Sequence, residues 1–466
     1  MKLYNTITKR IETFTPRSPD IVQMFVCGPT VYDDSHIGHA KTYVQMDLLA
    51  RVLKATFKQV YYLQNITDID NKIIDRARQK KISWWRLAED YQAKYEADMK
   101  ALNNISVSTY ARATDYIDQI ISQVQRLLDS GHAYVIDGDG IYFEISTFKD
   151  YGKLSGRTET KENDARSRID EADGKKGWND FALWKFKKSD EPSWQAKFTI
   201  DDKVVDAEGR PGWHIEDTAI TEHFFGPQYD LHGGAIDLIF PHHEAEITQM
   251  ESISGKIPMV REWTHTGFLT VEGQKMSKSL GNFITIRELI DNGIDPMAIR
   301  LLMLQTHYRS ELNYTDSAID MATNRLTKWR SIAALRHQIH DTVIRDEDKA
   351  KKLSEFNAAF LDALRDDLNV SEAFKIIEEV FSSLTNIDKI NHTEFVGFLE
   401  TIDDILGLKL IDSTPDIDED IKRLILERER ARENKDYVAS DELRDEILQS
   451  GIIIRDSTNG PIWEYA

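Results

Sequence analysis

The chain has 466 residues, and 59 lysines and arginines against 79 aspartates and glutamates leave a net charge of −20. A hydrophobic fraction of 41% and a charged fraction of 30% are ordinary globular values, which excludes a coiled-coil rod, a collagen-like chain and wholesale disorder. The acidity opposes non-specific nucleic-acid binding, which needs a basic field, but it leaves room for a local basic track.

At about 150 residues per domain, roughly three domains are expected. The single cysteine, Cys27, rules out an intrachain disulfide and suits a reducing compartment. The N-terminal stretch Met1-Lys2-Leu3-Tyr4-Asn5-Thr6 lacks the apolar core of a signal peptide. No apolar run approaches the roughly 20 residues of a membrane helix. These features lead us to expect a cytoplasmic protein that does not engage a membrane.

Along the chain, Met24-Phe25-Val26-Cys27 reads as a buried strand closed by Gly28-Pro29. Asp33, Asp34 or Ser35 can cap a helix on which Ile37, Ala40, Val44, Leu48 and Val52 recur at helical spacing. Val60 to Leu63 reads as a second strand, and a second helix begins near Asp68-Ile69-Asp70. This alternation predicts a parallel sheet, an α/β fold. Residues near 113–195 break the pattern with a helical stretch and a hairpin around Asp137 to Gly140. They also hold a charged segment, Thr158 to Lys176, read as a loop or flap. Alternation resumes from Pro211 to Glu251. Beyond Asp316 the pattern is helical and charged. Asp412-Ser413-Thr414-Pro415-Asp416 reads as a linker, and Gly451 to Arg455 with Gly460 to Trp463 as a strand pair.

Two short motifs carry chemistry. His36-Ile37-Gly38-His39 lies at the start of the first predicted helix, where unpaired N–H groups and the dipole attract anions. Imidazoles three residues apart share a face, and Gly38 permits close approach of a phosphate or base. Alone, the tetrapeptide fits two solvated surface histidines equally well. Far downstream, Lys275-Met276-Ser277-Lys278-Ser279 places two lysines in a small polar loop able to follow a polyphosphate. Alone, it reads as a solvated basic loop.

Together and in this order, the motifs resemble the two signatures of class I aminoacyl-tRNA synthetases. The flanking residues are similar to those of the cysteinyl-tRNA synthetase family. The likeness runs through Phe25 to Tyr32, Asn65 to Asp70, Gly212 to Glu216, His232-Gly233-Gly234, Phe240 to Glu244, His307 to Ser310, Asp362 to Arg365 and the Gly451 to Trp463 tail.

The resemblance implies a Rossmann-like catalytic domain with an insertion, then an α-helical bundle and a small C-terminal anticodon-binding module. The boundaries would be 1–112 and 196–265 for the two catalytic halves and 113–195 for the insertion. A stem-contact region with the Lys275–Ser279 loop would span 266–315, the bundle 316–410 and the terminal module 411–466. It implies L-cysteine, ATP with Mg²⁺ and tRNA(Cys) as substrates, a monomer, and one zinc ion that takes the substrate thiolate. Serine is nearly isosteric with cysteine but is a poorer zinc ligand, so a metal can discriminate where a plain pocket cannot.

By the same resemblance the metal ligands are Cys27, Asp217, His242 and Glu246, with Asp217 standing where cysteine is commonest in the family. His36, His39, Lys275 and Lys278 would be catalytic. Gly38, His232, Gly234 and Trp263 would join His36, His39 and Lys278 on the ATP side. Gly28, Thr67, Trp213 and Asp237 would surround the amino acid, Asp237 facing its ammonium. The basic run Lys422, Arg423, Arg428, Arg430, Arg432 and Lys435, with Trp463 and Tyr465, would meet the anticodon, although interleaved glutamates fit a salt-bridged helix as well. Three other readings remain at this point: a related ligase joining cysteine to an amino sugar, a non-catalytic paralogue that binds tRNA or zinc, and an altered choice of amino acid caused by Asp217.

Overall fold

Five short, largely apolar stretches form a parallel sheet: β1 (Ile21–Val26), β2 (Gln59–Ile66), β3 (Thr109–Arg112), β4 (Tyr229–Ala235) and β5 (Val260–Thr266). Their order is β5-β4-β1-β2-β3, and every neighbouring pair is parallel. Parallel sheets are covered on both faces, which explains why β1 reads as a nearly continuous apolar run and why β4 is buried almost throughout, Asp230 and His232 included. Chain order reverses between β1 and β4. A crevice opens at the carboxyl ends of the strands at such a switch point. The computed structural model describes residues 1–157, 173–338, 347–383, 392–457 and 460–465.

Helix α1 (Ile37–Thr56) follows β1 and is buried along most of its length. Its cap differs from the expected Asp33, Asp34 or Ser35. His36 is the N-cap: its Nδ1 accepts the His39 N–H at 3.3 Å while His39 Nδ1 accepts the His36 N–H at 3.4 Å. Two imidazoles thus form the reciprocal box usually built from Ser or Thr and Glu. The second helix starts at Asn71, with Asp70 capping it through the Lys72 N–H.

After β3 the chain builds an antiparallel four-stranded sheet, ordered Gly209–Pro211, Phe181–Phe186, Gly140–Phe143 and Ala133–Ile136. The expected hairpin at Asp137 to Gly140 joins its last two strands, with Gly138 at a φ of +73°. Of the charged Thr158 to Lys176 segment, 158–172 lie outside the described residues. Helices α2 (Ile215–Phe225) and α3 (Glu244–Ser254) flank β4 in sequence. Beyond β5, β6 (Leu269–Val271) and β7 (Gln274–Lys275) form a tight hairpin whose turn uses Glu272 and Gly273 at φ of +50° and +71°. Paired positive φ matches the strand twist.

Two compact units result: Met1–Gly293 with Tyr308–Asn313, and Ile294–His307 with Tyr314–Ala466. The first holds everything described so far. Within the second, Trp329 packs edge-on against Phe374 and Phe381, which in turn meets Phe398, giving a helical core. A smaller cluster of Ile425, Ile447, Ile452, Ile454 and Trp463 joins helices Glu419–Glu433 and Tyr437–Gln449 to the antiparallel pair Ile452–Ser457 and Gly460–Tyr465. Among the described residues no helix is long and apolar enough to cross a membrane.

The switch point leaves no space for a side chain at Gly28. A Cβ there would lie 1.7 Å from the Asn65 carbonyl oxygen, on the neighbouring strand β2. Gly28→Ala is therefore expected to destabilise the fold by about 3 kcal/mol or more, because backbone must move. Thermal unfolding checks this; a melting temperature within a degree of the parent would contradict it.

Candidate active site

Cys27 ends the β1 run, and its N–H donates to the Gly233 carbonyl of β4 at 3.1 Å. This bond sets the thiol in the crevice between the two strands. Asp217 comes from the first turn of α2, Glu246 from the first turn of α3, and His242 from the irregular turn before α3. The expected i,i+4 pair holds: Phe240 breaks helical geometry before His242, and the turn from His242 runs directly into α3. The two meet, with His242 Nε2 3.2 Å from Glu246 Oε1.

One ligand atom from each of Cys27, Asp217, His242 and Glu246 lies within 4.8 Å of all the others, and all four residues are buried. Cys27 Sγ is 3.3 Å from Asp217 Oδ2 and 3.8 Å from Glu246 Oε1, and His242 Nε2 is 3.0 Å from Asp217 Oδ2. Asp217 Oδ1 and Glu246 Oε2 are buried with no hydrogen-bond partner among the described residues. Burial first, then Glu246 and Asp217, push the Cys27 thiol well above its usual range. Burial and then Asp217 raise Glu246. Sulfur, nitrogen and two carboxylates with unused lone pairs fit a divalent cation such as zinc.

Four more histidines, three of them absent from the expected site, pack around this cluster. His243 Nε2 and His232 Nε2 lie 3.1 and 3.3 Å from Cys27 Sγ. His243 Nδ1 is paired with His265 Nε2 at 2.8 Å, and His214 Nδ1 with His242 Nδ1 at 2.8 Å. Burial holds His214, His232 and His243 below the usual imidazole range and His265 at about 3, so these rings add dipoles and not charge. His214 and His243 are adjacent in sequence to Trp213 and His242. That adjacency was the available signal; His265 had none.

The three residues expected on the ATP side adjoin the cluster. His232 touches the thiol, Trp263 is 1% exposed and stacks on His232 at 4.3 Å, and a Cβ on Gly234 would lie 2.9 Å from the His243 ring. These residues wall the cluster because β5 pairs with β4, which pairs in turn with β1. Trp213 stacks on His242 at 4.6 Å and fixes that ring. Thr67 donates its hydroxyl to Glu216, and Gly28 N–H donates to Asn65 Oδ1 at 2.5 Å. Asp237 sits in the turn after β4, within electrostatic reach of His36.

The two phosphate motifs, distant in sequence, are neighbours. The His36 and His39 rings stack with centroids 3.8 Å apart. Because each Nδ1 accepts a backbone N–H, each neutral ring carries its proton on Nε2, which is then its donor. Ile37 N–H donates to Ile284 O at 3.1 Å and Ile286 N–H to Ser35 O at 2.9 Å, which ties the start of α1 to the segment after Ser279. A Cβ at Gly38 would meet the His36 ring at 2.9 Å and Met276 at 3.6 Å. Lys275 and Lys278 are exposed, and Lys278 pairs with Asp33. Tyr43, stacked on His39, donates to the Cys27 carbonyl at 3.3 Å and links this motif to the cluster.

In the tail, Arg428 is 2% exposed and forks onto Asp456 at 2.9 and 3.1 Å, joined there by Arg432. Lys422 pairs with Asp416 and Glu419, and Arg423 with Asp420. Trp463 is 5% exposed, so it is core and not a stacking platform. The interleaved acids decide these cases.

The parallel sheet, the switch-point cluster and the joined phosphate motifs define a class I aminoacyl-tRNA synthetase fold. Solved structures agree at the level of fold. The methionyl-tRNA synthetase of Mycobacterium tuberculosis in complex with methionyl-adenylate superposes with a TM-score of 0.58 at 16% identity, over 85% of this chain and 91% of that one. The LeuRS–tRNA–LeuAMS ternary complex of Agrobacterium radiobacter gives 0.60 at 12% identity, over 85% of each. The family described as tRNA synthetases class I (C) catalytic domain matches residues 13–324, and the cysteinyl-tRNA ligase anticodon binding domain matches 414–463. A cysteine–tRNA ligase of Thermococcus onnurineus is 39% identical over all of this chain and 99% of its own. One of Thermosynechococcus vestitus is 40% identical, over 99% and 97%. The chain belongs to the cysteine–tRNA ligase family.

Asp217→Asn should act in opposite senses with and without metal. Removing a buried charge raises the melting temperature of chelator-treated protein, whereas divalent-metal affinity falls by about 100-fold. Unfolding curves with and without zinc, and metal analysis, read both signs; a shift in one direction only would contradict the cluster's electrostatics.

His36 and His39 generate a pH effect. Burial lowers His36 to about 4 and holds His39 well below its usual range, against about 6.5 in an unfolded chain. Unfolding then takes up protons, so their contribution is present above about pH 6.5 and is lost as pH falls toward 4. Denaturant titrations at a series of pH values should show stability falling in that window, and less steeply in a His36→Asn, His39→Asn variant.

Proposed function

We propose that this protein ligates L-cysteine to tRNA(Cys) with ATP, through a cysteinyl-adenylate, in the cytoplasm. The observation that carries this reading is the buried sulfur, nitrogen and carboxylate cluster linked through Tyr43 to the paired imidazoles. In the first step a cysteine carboxylate oxygen bonds to the α-phosphorus of ATP and the bond to pyrophosphate breaks. In the second, a terminal ribose hydroxyl of tRNA attacks the acyl carbon, gains the cysteinyl group and releases AMP.

Cys27, Asp217, His242 and Glu246 hold one zinc ion, which when bound supplies a Lewis acid that prefers the substrate thiolate to a serine hydroxyl. Trp213 keeps His242 oriented, and Gly28 and Thr67 border the amino acid. Asp237, whose charge already acts at His36, accepts the substrate ammonium. His36 and His39 direct their Nε2–H groups at the phosphate oxygens where charge builds, with Gly38 allowing close approach. Lys275 and Lys278 take the leaving pyrophosphate, Lys278 exchanging Asp33 for phosphate, and Mg²⁺ accompanies the ATP. Catalysis is positioning and electrostatics, as in phosphoryl transfer generally. The match of residues 414–463 to an anticodon-binding domain favours tRNA over an amino sugar as acceptor.

ATP–pyrophosphate exchange measured across all amino acids tests the reading. Cysteine should be the only efficient substrate, and labelled cysteine should charge purified tRNA(Cys). Lys278→Ala is expected to lower exchange by about 100-fold or more while cysteine still binds. Equal exchange with serine, or an undiminished Lys278→Ala enzyme, would overturn the assignment.

A further inference from the structure

Lys41 lies on α1 two residues beyond His39 and is only 1% exposed. A buried lysine is costly unless its ammonium is fully engaged. Its three donors have three acceptors: the carbonyls of Gly267 at 2.7 Å, Phe268 at 2.9 Å and Ser310 at 2.5 Å. They come from two stretches far apart in sequence.

Their convergence has a second cause at Gly267. Its N–H donates to the Tyr308 carbonyl at 2.8 Å, and a Cβ on it would lie 2.5 Å from Ser310 O and 2.6 Å from Arg309 O. Backbone therefore lies directly on backbone, and the carbonyls face one point on α1. Leu312 N–H also donates to Phe268 O at 3.0 Å, so the junction is closed on both strands. Phe268 immediately precedes β6, the first strand of the hairpin that bears Lys275 and leads to Lys278.

We propose that Lys41 is a positioning residue for adenylation. Its ammonium staples the foot of the β6–β7 hairpin to the same helix that presents His36 and His39, so that lysines and imidazoles meet the nucleotide in one register. The inference rests on the phosphate roles proposed for those residues. A displacement of about 1 Å at a reacting group can cost about 100-fold in rate, and the staple sits where such a displacement would begin. Lys41 itself touches no substrate in this scheme.

The test uses the full-length, zinc-loaded protein and compares Lys41→Met, Lys41→Arg, Gly267→Ala and Lys278→Ala. Lys41→Met should lower kcat of ATP–pyrophosphate exchange by about 10- to 100-fold with the KM for cysteine within about twofold. Lys41→Arg, which can still donate to several carbonyls, should recover most of the loss. Amide hydrogen exchange should quicken in 267–275 and 308–312 and stay unchanged elsewhere in the sheet. If Lys41→Met does not fold, Gly267→Ala must give the same kcat loss and the same local quickening. A normal kcat, or exchange that quickens uniformly over the sheet, overturns the proposal. An unimpaired Lys278→Ala would place the failure in the phosphate assignment. An impaired Lys278→Ala beside an unimpaired Lys41→Met would place it in the staple.

Discussion

Two carboxylates held within 4.8 Å of each other and of a thiol in a dry interior repel each other, and this repulsion is the constraint on which the site depends. Cys27, Asp217, His242 and Glu246 come from separate elements, and among the described residues no hydrogen bond satisfies Asp217 Oδ1 or Glu246 Oε2. Burial first, and then the neighbouring carboxylates, drive Cys27 and Glu246 toward their protonated forms. A divalent cation would add an attraction to each of these groups that offsets both costs. The surroundings fit that outcome: the four further histidines are kept neutral by burial, and Trp213 and Trp263 stack on rings to stop them turning.

Around this centre the fold solves a placement problem. The helix that opens with His36 and the segment that follows Ser279 are tied by reciprocal backbone hydrogen bonds. The imidazole capping box has a further effect. It uses both Nδ1 atoms on backbone donors, so the tautomer is set by helix geometry and each neutral ring carries its proton on Nε2. Asp33, just before the helix, pairs with Lys278.

The acidic net charge and the tail fit together once pairing is considered. The basic helix Glu419–Glu433 interleaves acids with its lysines and arginines, and Asp456 on the terminal strand takes Arg428 and Arg432. Most of that apparent basic track is internally neutralised. Trp463 is consumed by the module's core beside Ile425 and Ile454. Tyr437, 64% exposed on the neighbouring helix, shows that aromatic surface remains in the same module.

Periodicity and turn chemistry made much of this legible from the chain alone. The β1 run, the helix bearing His36, the Asp137 to Gly140 hairpin and the terminal strand pair are local patterns, and local patterns determine local structure. Motif order carried the family, because His36–His39, Lys275–Ser279 and Gly212–Glu216 are each short and contiguous. Tertiary structure alone decided which side chains share a cavity. His265 and Lys41 carry no sequence signal, since their roles depend on partners from other elements, for Lys41 more than 200 residues away. Strand pairing brings His232 to within 3.3 Å of the Cys27 thiol and stacks Trp263 on that imidazole. Contact between distant segments is set by packing of the whole sheet, and a linear pattern holds no record of it.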